Sequence, residues 1–167
     1  MKTRELTLIA IMISLCGMSM MIFPYIVPFL FIVMSLTFTK KQSVLIGVVL
    51  GFLSFIIYGK IMALTSIVLL PLVAILTIWG RDRLLVDDIS SRQITLFSLY
   101  VFFTQLLVNV LSEVATSIFF SFGLQYVLLS LPLSIGLSVI AAVLVRLFAV
   151  PVWKVTSRLY LNYATPS

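Results

Sequence analysis

Long apolar runs, separated by short polar or proline-containing connections, divide the chain into six segments: 6–22, 26–38, 43–58, 61–79, 94–120 and 126–150. A hydrocarbon core about 30 Å thick takes about 20 apolar residues of helix, fewer where helix ends are buried in protein. The pattern therefore predicts an all-α, polytopic membrane protein with six transmembrane helices in a single domain over 1–167. The second run is short. Pro24 and Pro28 interrupt the apolar stretch there, and because a helix usually ends before a proline, a turn is expected over 23–28. Gly59, Lys60 and the stretch 121–125 punctuate two further connections. Pro71 and Pro132 fall inside the fourth and sixth runs, where neighbouring helices can satisfy the freed carbonyls.

Composition points the same way. With 62% hydrophobic and 10% charged residues the chain lies outside the range of soluble domains. A net charge of +6 would suggest nucleic acid in a soluble chain, but here the basic residues sit between the apolar runs. Placing the N-terminus in the cytoplasm puts Lys2, Arg4, Lys40, Lys41, Arg81, Arg83, Arg92, Arg146, Lys154 and Arg158 on the inner side and leaves only Lys60 outside. That positive-inside bias predicts a multi-pass cell-membrane protein with both termini cytoplasmic, and no nucleic-acid partner. The segment 81–92, with Asp82, Asp87 and Asp88 among its arginines, is expected as a cytoplasmic loop. Lys2 and Arg4 ahead of an apolar run imitate a secretory signal. However, no small-x-small cleavage site closes the run, and Leu15 stands where a lipoprotein motif before Cys16 needs a small residue, so a retained first helix is expected. The single Cys16 allows neither an intramolecular disulfide nor a Cys-based metal site, and reads as packing.

Glu113 is the only acidic residue within a predicted span. An ionisable group at membrane depth is costly and faces a bundle interior or a wet cavity, which makes it a candidate for function. Gln105, Asn109 and Glu113 recur every four residues and share one helical face, with Ser112 and Thr116 beside it. This polar stripe fits either a solute with hydroxyls or a heterocycle, or hydrogen bonding between packed helices. Lys60 can steer an anion, pair with Glu113 or simply snorkel. Phe23, Tyr25, Tyr58 and Tyr126 near the outer face can stack on a ring or anchor in the interface. On the first helix Ala10, Ser14 and Gly17 form a small-residue strip that permits close helix approach, and Gly47 and Gly51 repeat the pattern in the third. Internal packing and a partner subunit explain such strips equally well. With no histidine, no P-loop and no acidic pair, the chain lacks the usual means of a hydrolase, a metal enzyme or an ATPase, so it is expected to be non-catalytic, without cofactor or metal.

The size, the six runs, the opening Lys2-Thr3-Arg4-Glu5-Leu6-Thr7-Leu8-Ile9-Ala10, the strip on the first helix and the Gly47 to Gly51-Phe52 segment together make nearly the whole chain resemble the substrate-binding S component of energy-coupling-factor (ECF) vitamin transporters. The family's Ala-x-x-x-Ala pattern is here Ala10 followed by Ser14. The resemblance implies a six-helix subunit that binds a vitamin or precursor near the outer face. Its partners would be a transmembrane T component, faced by Ala10 and Ser14, and two cytoplasmic ATPases. The connections 23–28, 59–62 and 121–125 would close over a pocket lined by Glu113, Asn109 and Gln105. A carboxylate with amides beside it favours a pyridoxine-like or hydroxymethylpyrimidine-like ring, with pantothenate, paired to Lys60, as the alternative. A membrane interaction or assembly protein without a solute, and a self-sufficient small transporter, remain as other classes.

Overall fold

The computed structural model describes residues 3–22, 26–58, 64–85, 90–149, 151–153 and 155. Among them every regular element is helical: α1 (Thr3–Ile22), α2 (Val27–Thr37), α3 (Lys40–Tyr58), α4 (Leu64–Leu84), α5 (Ser91–Phe120) and α6 (Leu124–Leu144), the last continuing into one π-helical turn, Val145–Ala149. Four helical stretches, Glu5–Ile22, Lys40–Tyr58, Ser91–Phe120 and Leu124–Ala149, are long and apolar enough to cross a membrane, and α2 is a shorter apolar helix.

Local chemistry sets the helix ends. Thr39 N–H donates to Gln42 Oε1 at 3.1 Å ahead of α3. Ahead of α5, Ser90 N–H donates to Gln93 Oε1 at 2.9 Å while Gln93 N–H returns to Ser90 Oγ at 3.3 Å. The second is a full capping box and the first its reaching-back half, and both tie down the chain at the start of the helix. They start the two helices three residues before the apolar runs expected from 43 and 94. At its far end α5 closes on Ser121, held left-handed at φ 55° with Phe122 N–H bonded to Ser117 O at 3.1 Å. Gly123 at φ 76° then lets the chain reverse directly into α6.

The expected loop over 81–92 needs correction. Residues 81–84 form the last turn of α4, and Arg92 lies in the first turn of α5. Arginines suit a helix C-terminus because their charge offsets its dipole. Arg81 does more, donating from Nη1 to Leu36 O at 3.1 Å and thereby capping the end of α2.

Exposure is inverted relative to a water-soluble protein. Large apolar side chains such as Met21, Ile118 and Leu129 face outward, while the buried polar residues, among them Ser35, Ser43, Gln105 and Ser138, are all uncharged. The molecule thus has the build of an all-helical membrane protein. At its centre lies α2, with eight of its 11 residues buried, the condition of a helix apolar on every side. Around it α1, α3, α4, α5 and α6 pack as successive neighbours, except that α1 sits on α3 rather than on α6. The tightest seam joins α3 to α4. A Cβ at Gly47 would lie 2.8 Å from Pro71 N, and one at Gly51 2.5 Å from Ile67 Cα, so the two backbones touch where only glycine fits. The glycine pair of the third run is therefore spent on internal packing.

Candidate functional site

The polar stripe of α5 divides between two neighbours. Asn109 turns toward α6, where Nδ2 donates to Ser138 Oγ at 3.3 Å and to Ser134 O at 3.4 Å. Ser138 Oγ in turn donates to Ser134 O at 2.7 Å, and one end of the same seam is tied by Ser98 Oγ to Ala142 O at 2.8 Å. These bonds are interhelical glue, the role hydroxyls and amides commonly play between membrane helices.

Gln105 makes no bond to α6. Its Nε2 donates to Asn109 Oδ1 at 3.3 Å, but its carbonyl oxygen has no partner among the described residues, although the residue is only 8% exposed. That oxygen keeps an accessible face: among the described residues Ser43 Oγ is the side-chain atom that is both sealed off and without a partner, so the Gln105 carbonyl is an open acceptor and not a strained one. Beside it is a cavity of about 160 Å³ enclosed by α2, α4 and α5. Val27, Phe31, Leu70 and Val108 supply apolar wall, while Gln105, Asn109, Ser66 and Ser112 supply polar atoms. The hydroxyls of Ser66 and Ser112 make no hydrogen bond with any described residue. Among the described residues the lining is uncharged, with apolar walls and a few convergent hydrogen-bonding groups, the general form of a small-molecule site. Its position matches the helix ends: the start of α2, the first half of α4 and the second half of α5 all converge there.

The other candidate residues lie elsewhere. Glu113, one turn beyond Asn109, is absent from the cavity wall and sits beside the Tyr126 hydroxyl at the α5–α6 turn. Tyr126 also packs on Phe122, ring centroids 5.1 Å apart, and Phe122 stacks on Phe120 at 5.5 Å. Tyr58 donates its hydroxyl to Met20 O at 2.8 Å and so fastens α3 to α1, away from the cavity. Lys60, Phe23 and Tyr25, together with 59–62, lie outside the described residues. Ala10 and Ser14 are exposed on the outer face of α1, with Ser14 Oγ bonded back to Ala10 O at 2.9 Å. Gly17, half-buried, turns inward, where a Cβ would meet Leu53 Cδ1 at an ordinary 3.9 Å. Cys16 is fully buried, its Sγ 3.2 Å from Met34 Sδ. Among the described residues no group of three or more His, Cys, Asp or Glu side chains comes together in a way that could hold a metal ion.

Sequence reasoning missed Ser66 and the α2 wall. A lone serine in an apolar helix carries no sign of which neighbour it faces, and Val27 and Phe31 look like any lipid-facing residue until α2 is known to be central. Comparison with known proteins finds no matching family model, no matching curated sequence and no matching solved structure.

Proposed function

We propose that the chain is the S component of an ECF-type, ATP-driven importer, with six spans and cytoplasmic termini, and that it captures a neutral single-ring vitamin or precursor of the pyridoxine or hydroxymethylpyrimidine kind. The observation that carries this reading is the half-satisfied Gln105 amide beside the α2–α4–α5 cavity. A volume of about 160 Å³ suits one ring, since an engineered protein cavity of about 150 Å³ holds benzene. The Gln105 carbonyl oxygen can accept from a ring hydroxyl or amine, and Ser66 and Ser112 can donate or accept. Pantothenate is the alternative cargo, with its carboxylate paired to Lys60, which lies outside the described residues. The outward face of Ala10 and Ser14 supports close contact with a T component. Two partner ATPases would supply the energy, since the chain carries no P-loop.

The second reading, a membrane interaction or assembly protein without a solute, is favoured by the bonds of Asn109 to α6, which need no ligand. One experiment separates the two. The chain is purified in mild detergent, and binding of pyridoxine, hydroxymethylpyrimidine and pantothenate is measured by calorimetry for the wild type and Gln105→Leu. Capture predicts that a ring compound binds and that the variant loses about tenfold in affinity, as expected for one buried hydrogen bond, while keeping its thermal stability. If none of the three binds and the variant changes stability alone, the packing reading replaces it.

A further inference from the structure

A second opening has a different character. Along the outer flank of the α4–α5 pair runs a groove of about 360 Å³, bounded by Ile75, Leu76 and Trp79 from α4 and by Tyr100, Phe103 and Leu107 from α5. It follows the helices from Trp79 and Tyr100 toward Leu107, about 10 Å at 1.5 Å per residue. Its polar atoms are already committed. The Tyr100 hydroxyl donates to Leu76 O at 2.8 Å, and the Thr104 hydroxyl bonds back to Tyr100 O and Val101 O at 3.1 and 3.0 Å. A water-soluble molecule would find almost nothing to bond there, whereas a hydrocarbon chain would lose nothing. The Tyr100 ring lies so closely against Gly80 that a Cβ there would collide with it.

One end of the groove carries a charge. Arg83, one turn beyond Trp79, holds its guanidinium 4.0 Å over the Trp79 ring, is exposed, and has no ion-pair partner among the described residues. Its neighbour Arg81 is occupied, bonded to Asp82 Oδ1 at 2.9 Å and to Leu36 O. An apolar slot that ends at an exposed guanidinium, with a tryptophan and a tyrosine at the same level, complements one kind of molecule: a hydrocarbon tail carrying an anionic headgroup.

We propose that the α4–α5 groove is a binding site for an anionic phospholipid, with an acyl chain lying against Trp79, Phe103 and Leu107 and the phosphate at Arg83. The proposal is independent of any solute in the α2–α4–α5 cavity. Since the chain has two tryptophans, Trp153→Phe leaves Trp79 as the sole reporter. This variant is reconstituted in vesicles containing either brominated phosphatidylglycerol or brominated phosphatidylcholine, and quenching of Trp79 is measured. The expected result is preferential quenching by the anionic lipid, with an association ratio of about fivefold from one arginine near the headgroup. That preference falls with added salt and is lost in Arg83→Gln, while quenching by phosphatidylcholine is unchanged. Equal quenching by the two lipids overturns the proposal, as does a preference that survives Arg83→Gln. Lack of quenching by either lipid, with Trp79 reporting contact between copies, would mean that a second chain covers the groove and overturns it too. Should Trp153→Phe fail to fold, native mass spectrometry compares the lipid classes retained by the otherwise unaltered chain and by Arg83→Gln. Anionic lipid retained by the first and lost from the second supports the site, and equal retention overturns it.

Discussion

Replacing Gly51 with alanine puts a methyl group where α3 meets α4. The added carbon would lie 2.5 Å from Ile67 Cα, 2.8 Å from Ile67 N and 2.9 Å from Ser66 C, all backbone atoms that no rotamer change can move. Restoring ordinary carbon contact requires α4 to retreat by about 1 Å, and forced expansion of a packed interior costs about 1–3 kcal/mol. The upper part of that range is expected, because the obstacle is main chain. Gly136 is the control: a Cβ there meets nothing within 4 Å and the residue is inside α6, so Gly136→Ala should not destabilise and should gain up to about 1 kcal/mol from helix propensity. Unfolding in a detergent series, followed by circular dichroism, measures both. Because Ser66 lies at the point of collision and also lines the cavity, Gly51→Ala should weaken solute binding along with stability. Equal stability of the two variants would refute the claim that the α3 and α4 backbones touch there.

Three other substitutions follow from the same geometry. Asn109→Leu removes two long bonds to α6 and the acceptor of Gln105 Nε2 but leaves Ser138 bonded to Ser134 O, so it should cost about 1–3 kcal/mol in the same unfolding assay. Tyr58→Phe deletes the bond to Met20 O and should cost about 1 kcal/mol, with α1 becoming the first helix cut in limited proteolysis. Glu113→Gln changes a residue outside the cavity wall and should alter solute affinity less than Gln105→Leu does, as calorimetry would show.

Much of the architecture was readable in the chain. Apolar runs mark where helices lie because a helix in lipid must satisfy its own backbone and face hydrocarbon with apolar side chains. Their edges were blurred, since hydropathy drops at Lys40, Lys41 and Gln42 even though those residues complete the first turn of α3. The spacing of Thr39 to Gln42 and of Ser90 to Gln93 carries that information and marks both helix starts. The polar face of α5 was equally visible, but its division was not. Which of two residues one turn apart bonds to α6 depends on how the helices are rotated in the bundle, a tertiary property that spacing along one helix cannot encode. Glu113 stood out for its charge, yet the neutral Gln105 holds the unsatisfied oxygen beside the cavity.

The length of α2 governs depth. Eleven residues rise about 16 Å, roughly half of a 30 Å hydrocarbon layer. Arg81 capping Leu36 O ties the end of α2 to the last, charged turn of α4, where a guanidinium can reach headgroups and water. If α2 lies along the bilayer normal, the shortfall in thickness falls at the Val27 end. With its other end at one headgroup level, the described part of α2 reaches only to about the middle of the hydrocarbon layer, and the cavity beside Val27 lies at that depth. A group held at that depth in lipid has little water to compete with its hydrogen bonds, which gives the uncharged amides and hydroxyls of Gln105, Asn109, Ser66 and Ser112 more weight there than they would have at a surface.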